Sequence, residues 1–122
     1  MHGVVIIGGD GDFGRTNRQR KVLSVLVQKA KGMNLLFETG GESPVTLLRL
    51  IKEIGTDNLY ANLDTANVIL YGRANPVDAL DVFGKYVRNI HAKDGFYPTN
   101  GHSLGQEVRL GDGKVDFKAL FK

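Results

Sequence analysis

The chain has 122 residues and a mass of 13.3 kDa, room for one ordinary domain, since domains commonly run to about 100–200 residues. Hydrophobic residues make up 42% and charged residues 24%, with 16 Gly, 3 Pro and no Cys, which excludes disordered, collagenous and coiled-coil classes, disulfides, thiolate catalysis and Cys-based metal sites. The formal net charge of +3 is uneven: residues 1–37 hold six basic side chains against Asp10 and Asp12, whereas residues 38–122 are close to neutral. A solvated helix face accounts for the basic segment, and without interleaved aromatic residues no nucleic-acid partner is expected. No apolar stretch approaches the roughly 18 residues of a membrane span, and the first residues lack a signal-peptide pattern, so a cytoplasmic protein with no membrane partner is the expectation.

In chain order, Gly3-Val4-Val5-Ile6-Ile7 is a continuous apolar run ending in Gly8-Gly9, as expected of a strand buried on both faces. A helix is predicted from about Arg15 to Lys31, with Val22, Leu23, Leu26, Val27 and Ala30 on one face and Gly32 as its stop. Residues 34–38 form the next strand. Ser43-Pro44 then supplies a cap and a first-turn proline for a helix carrying Leu47, Leu48, Ile51 and Ile54, closed by Gly55. A third strand over residues 59–64 is followed, after a loop, by a second cap and proline at Asn75-Pro76 and a helix running through Tyr86. The fourth strand is 87–92. Residues 95–114 are a long polar loop, rich in Gly, Asn, Pro and Ser, with one short strand at 107–110, and Asp116 caps a last helix.

This alternation is the βα pattern of a parallel sheet in a single α/β domain spanning residues 1–122. Glu38, Asp64 and His91 each stand at the C-terminal end of a different strand. Ligands of parallel α/β sheets bind beyond those ends, so the three side chains are expected to converge on one cleft. Two carboxylates and an imidazole suit a divalent metal such as Mn²⁺, Mg²⁺, Co²⁺ or Zn²⁺. Such an ion would polarise a substrate carbonyl and stabilise an enediolate, with Glu38 doubling as catalytic base. Lys93 and Asp94 follow His91 onto the same rim, Lys93 as an anchor for a substrate phosphate or carboxylate. Asn67 is a candidate contact for a sugar hydroxyl, and His102 a candidate lid residue. Each also has a structural reading: a strand-end turn for the acids, a loop cap for Asn67, a solvated surface for Lys93 and His102.

Four segments carry a family resemblance: Phe37-Glu38-Thr39-Gly40-Gly41-Glu42-Ser43-Pro44-Val45-Thr46-Leu47-Leu48, Asn62-Leu63-Asp64-Thr65-Ala66-Asn67, Ile90-His91-Ala92-Lys93-Asp94-Gly95 and Leu110-Gly111-Asp112-Gly113-Lys114-Val115-Asp116-Phe117. In that order they resemble the sugar phosphate isomerase/epimerase family of xylose isomerase-like TIM barrels. The resemblance implies a metal-dependent isomerase or epimerase acting on a small sugar or sugar phosphate. It also implies that Glu38, Asp64 and His91 end barrel strands five, six and seven as three of four metal ligands, with Glu38 one of two proton-shuttling glutamates. A complete (β/α)₈ barrel takes about 250 residues, so the chain corresponds to about half of one, strands four to seven. The strand bearing the fourth ligand and second glutamate is missing, and Asn67 stands where several epimerases carry His.

An open run of parallel strands leaves two edges, which predicts a homo-oligomer. A second reading is therefore a non-catalytic, self-associating barrel fragment. A third rests on Gly9-Asp10-Gly11-Asp12-Phe13-Gly14, a G-x-G-x-x-G after a strand and before a helix, as in dinucleotide-binding modules using Gly9, Gly11 and Gly14. Against it, Asp10 and Asp12 place negative charge where two phosphates must bind.

Overall fold

Caps set the element boundaries where the sequence supplies them. Ser43 has an extended backbone and its side chain accepts from the Thr46 N–H at 3.3 Å, with Pro44 opening the helix behind it, while Gly55 closes it in the left-handed region at φ 69°. Asn75 accepts from the Asp78 N–H at 2.9 Å and Asp116 from the Ala119 N–H at 2.9 Å, starting two further helices. A computed structural model describes residues 3–7, 17–30 and 32–122. Its elements are β1 (Gly3–Ile7), α1 (Asn17–Lys29), β2 (Met33–Glu38), α2 (Pro44–Ile54), β3 (Leu59–Asp64), α3 (Asn67–Leu70), α4 (Pro76–Phe83), a 3₁₀ turn (Gly84–Tyr86), β4 (Val87–His91), β5 (Asp94–Phe96), β6 (Gln106–Val108) and α5 (Phe117–Leu120). The glycine fingerprint Gly9-Gly11-Gly14, with Asp10 and Asp12, lies outside the described residues.

The first four strands form one parallel sheet in the order β1-β2-β3-β4, each joined to the next through helical structure. Half of a TIM barrel has this topology. Leu35, Phe37, Leu59, Ala61 and Leu63 alternate onto the helix-facing side, where they pack with Leu23 and Val27 of α1, Leu47, Leu50 and Ile51 of α2, and Ala79 and Phe83 of α4. Residues 95–114 carry an antiparallel hairpin in which Asp94, Gly95 and Phe96 pair with Val108, Glu107 and Gln106. The expected strand at 107–110 is thus shorter and shifted, and its partner β5 was not anticipated because Asp-Gly-Phe has no strand pattern of its own.

Three further expectations are corrected. β1 is not buried on both faces: it is an edge strand, and Val4 and Ile6 remain 58% and 46% exposed. Among the α1 side chains described, those of residues 20–29, only Leu23 and Val27 are buried, while Val22 and Leu26 stay about half exposed, because α1 ends the row of helices and has α2 on one flank alone among the described residues. The loop after β3 contains the short helix α3, which carries Asn67 as its first residue.

Candidate metal centre

The pairing of strands brings three side chains onto one face. Glu38 pairs with Asn62, Asn62 and Asp64 are two residues apart on β3, and Asp64 pairs with His91, so alternation puts all of them on the side away from the helices. A β-bulge makes the last pairing possible. Ala61 pairs with Val87 but Asn62 pairs with Asn89, which leaves Arg88 as the extra residue. Without it Asp64 would pair with Ile90, and His91 would project to the helix side. Arg88 is held there by hydrogen bonds to the Lys85 and Val87 carbonyls and by its guanidinium lying 4.2 Å from the Tyr60 ring centre. Above the bulge, Asn89 Nδ2 donates to Asn62 Oδ1 at 2.8 Å, tying β4 to β3.

Ligand-type atoms of Glu38, Asp64 and His91 lie within 4.8 Å of one another, the only such group among the described residues. His91 Nδ1 is 3.3 Å from Glu38 Oε1 and 3.2 Å from Asp64 Oδ2. Separations near 3 Å are what neighbouring ligands adopt around an ion bonded at about 2.1 Å. Asp64 is fully buried. Its Oδ1 accepts from the Ala66 and Asn67 N–H groups at 3.1 and 3.0 Å, whereas its Oδ2 has no hydrogen-bond donor, His91 and Lys93 standing near it only at ion-pair distance. A buried carboxylate oxygen without an aligned donor carries a desolvation cost, which the nearby Lys93 ammonium offsets in part and a divalent cation would remove. The residues present therefore fit a divalent metal.

Threonines fix the strand ends. Thr39 Oγ1 donates to the Asp64 carbonyl and accepts from the Asp64 N–H at 3.0 Å, and Thr65 Oγ1 donates to the Lys93 carbonyl and accepts from its N–H at 2.9 Å. Asn67 Nδ2 donates to the Thr39 carbonyl at 3.0 Å, and its Oδ1 accepts from Lys93 Nζ at 3.2 Å. Lys93 stands against the cluster: its Nζ is 3.3 Å from Asp64 Oδ2 and 3.5 Å from Glu107 Oε1. Burial opposes its charge, but the attraction of Asp64, then of Glu107, holds its pKa above the ordinary value.

Asp94 is placed differently from the rim position expected of it. Asp94 is fully buried and its carboxylate accepts four backbone N–H groups, from Gly95 and Val115 on Oδ1 and from Gly111 and Gly113 on Oδ2, at 2.8–3.0 Å. Burial disfavours its ionised form, yet the four donors outweigh this and hold its pKa below the ordinary carboxylate range. It clasps the 111–115 loop instead of facing a substrate. His102 is exposed, on a turn where the Asn100 side chain accepts its N–H, and among the described residues no hydrogen bond joins it to the cluster. Thr39, Thr65 and Glu107 were not anticipated. The threonines had a visible signal, since each directly follows a strand-end acid, Glu38-Thr39 and Asp64-Thr65; Glu107 had none.

The family model of the xylose isomerase-like TIM barrel matches residues 14–122. A xylose isomerase domain protein from Planctomyces limnophilus is 38% identical, with a TM-score of 0.85 over 95% of this chain and 46% of its own. A xylose isomerase-like TIM barrel protein from Mycobacterium smegmatis, in complex with magnesium, has the same fold at 15% identity, with a TM-score of 0.75 over 98% of this chain and 49% of its own. A 3-keto-D-glucoside 4-epimerase from E. coli is similar at 18% identity, with a TM-score of 0.58 over 97% of this chain and 49% of its own. Among curated proteins no sequence matches significantly. The chain spans about half the length of these solved relatives.

Proposed function

Because the chain belongs to the xylose isomerase-like TIM barrel family, we propose that Glu38, Asp64 and His91 are three ligands of a divalent metal centre in a sugar or sugar phosphate isomerase or epimerase. The donor-free, buried Oδ2 of Asp64 carries this reading. A bound Mn²⁺, Mg²⁺, Co²⁺ or Zn²⁺ would supply a Lewis acid that polarises a substrate carbonyl and offsets the charge of an enediolate. Glu38, only partly buried, would take a proton from the carbon next to that carbonyl. Lys93 and Asn67 stand beside the cluster to contact substrate oxygens. The magnesium complex of the Mycobacterium smegmatis protein and the epimerase activity named for the E. coli protein support the class of chemistry. The reading places the protein in the cytoplasm; no helix among the described residues is long and apolar enough to cross a membrane.

Self-association is part of the proposal. β1 and β4 are both edges, and Val4, Val5 and Ile6 on one edge and Ile90 on the other are exposed. Two copies related by a twofold axis along the sheet's strand direction would pair β4 of each with β1 of the other, giving eight parallel strands and no edge. Light scattering across the micromolar range is expected to report a dimer that Ile6→Lys dissociates; a monodisperse monomer overturns this part. A dimer whose melting temperature does not respond to metal favours the reading of a non-catalytic, self-associating fragment.

The metal centre is tested by melting the chain in EDTA and in Mn²⁺, with Glu38→Gln/His91→Asn as control. Ligand at a hundredfold excess over Kd stabilises by about 2.7 kcal/mol, a rise of several degrees for a domain of this size. A rise confined to the unmodified chain is the expected result, and no rise sinks the assignment.

A further inference from the structure

The ammonium of Lys93 lies against the oxygen that a metal ion needs. Its main chain is tied on both sides to Thr65 Oγ1, so the side chain starts from a fixed point and is only 19% exposed. Three acceptors surround Nζ: Asp64 Oδ2 at 3.3 Å inside, Asn67 Oδ1 at 3.2 Å beside it, and Glu107 Oε1 at 3.5 Å on the solvent side. An ammonium has three N–H donors. The inner contact falls on the oxygen that has no hydrogen-bond donor.

We propose that Lys93 is a resident counter-cation for Asp64 that competes with the metal ion, and that Glu107 is the positioning residue that holds its ammonium aside when the ion binds. The inference rests on the metal-centre reading above and deepens it by naming what sets the affinity. In the metal-free chain Lys93 offsets the charge of a carboxylate that is buried beside a second one. An ion bonded to Asp64 Oδ2 stands near enough to the ammonium for strong like-charge repulsion. Even with the dielectric of water, a double and a single positive charge about 5 Å apart repel enough to weaken binding about tenfold. Swinging Nζ outward relieves that repulsion only if an acceptor waits there, and Glu107, on β6 with its side chain 61% exposed, is that acceptor. The hairpin thereby acts on metal affinity without supplying a ligand.

Mn²⁺ binding to the 122-residue chain, read from the free-ion EPR signal, tests this with no assay of activity. Lys93→Met and Lys93→Gln are expected to tighten binding about tenfold or more, and Glu107→Gln to weaken it severalfold. In Lys93→Met/Glu107→Gln the Glu107 effect is expected to shrink to that of a distant surface charge. Fully additive effects overturn the positioning role of Glu107, since they mean its charge acts directly on the ion. Unchanged or weaker binding in both Lys93 variants overturns the competition while leaving the metal centre standing. Absence of binding in every variant removes both together. Glu107 is exposed enough for its substitution to leave folding intact, so that arm remains readable even if a Lys93 variant is unstable.

Discussion

Asp64 and Asp94 are both fully buried acids near the same end of the sheet, yet their surroundings differ in one respect that separates structure from function. Asp94 has four backbone N–H donors shared over its two oxygens. Asp64 has two donors on one oxygen and none on the other. A folded chain has no energetic reason to leave a buried carboxylate oxygen without a donor, because such an atom costs about 1–3 kcal/mol or more when charged. The region around Asp94 is complete by itself; at Asp64 one oxygen has the nitrogens of His91 and Lys93 at 3.2 and 3.3 Å without an aligned hydrogen bond, an arrangement that a metal ion would complete. The same residue type, equally buried, is an internal clasp in one place and a candidate ligand in the other, and burial alone does not distinguish them.

Removing the clasp should have the largest effect. Asp94→Ala strips four backbone donors of their acceptor, two of them on glycines of the 111–115 loop, and is expected to cost about 4 kcal/mol or more, a large share of the roughly 5–15 kcal/mol that holds a domain folded. Urea denaturation measures it; a loss below about 1 kcal/mol would show that water replaces the carboxylate and that the clasp is not structural. Gly113→Ala attacks the same cradle sterically. A Cβ there would lie 2.3 Å from Asp94 Oδ1 and 2.6 Å from the Gly95 nitrogen, so carboxylate or backbone must shift, at a cost of about 2–3 kcal/mol.

The clasp also sets a pH dependence with a definite sign. The folded-state pKa of Asp94 is lowered, so its contribution is fully present above the unfolded carboxylate value of about 4 and is lost as pH falls from there through the folded value. Urea midpoints from pH 6 down to pH 2 should fall more steeply for the unmodified chain than for Asp94→Asn, the two converging at the acid end. Parallel curves would place the acid transition on other groups.

The parallel sheet, its helices and caps and the convergence of Glu38, Asp64 and His91 were legible because each follows from local pattern: apolar runs, Ser-Pro and Asn-Pro caps, and polar residues at strand ends. What was not legible depends on contacts across the chain. Asp94 reads as a rim residue because it follows His91 and Lys93, and three of its donors come from residues 17 to 21 positions downstream. The bulge at Arg88, which turns His91 toward Asp64, leaves no local mark, since an extra residue in a strand is defined only by its partner. The exposure of β1 was hidden for a related reason: an apolar run reports what a strand could bury against, and says nothing of whether a neighbour is there.

The smallest stability change belongs to the other acid, and it tests the comparison most directly. In Asp64→Asn the amide oxygen can keep the two N–H bonds of Ala66 and Asn67, and what disappears is a buried charge beside Glu38, with Lys93 left to Glu107 and Asn67. Removing one partner of a buried ion pair costs about 3–5 kcal/mol when the other charge is left unpaired; Lys93 keeps Glu107 and Asn67, so the metal-free loss is expected to stay well below that, at about 1 kcal/mol. The Mn²⁺-dependent rise in melting temperature, in contrast, should vanish. If Asp64→Asn instead destabilised the metal-free chain as severely as Asp94→Ala, the ion pair with Lys93 would be a structural bond in its own right. The unbonded oxygen would then lose its standing as the mark of a ligand.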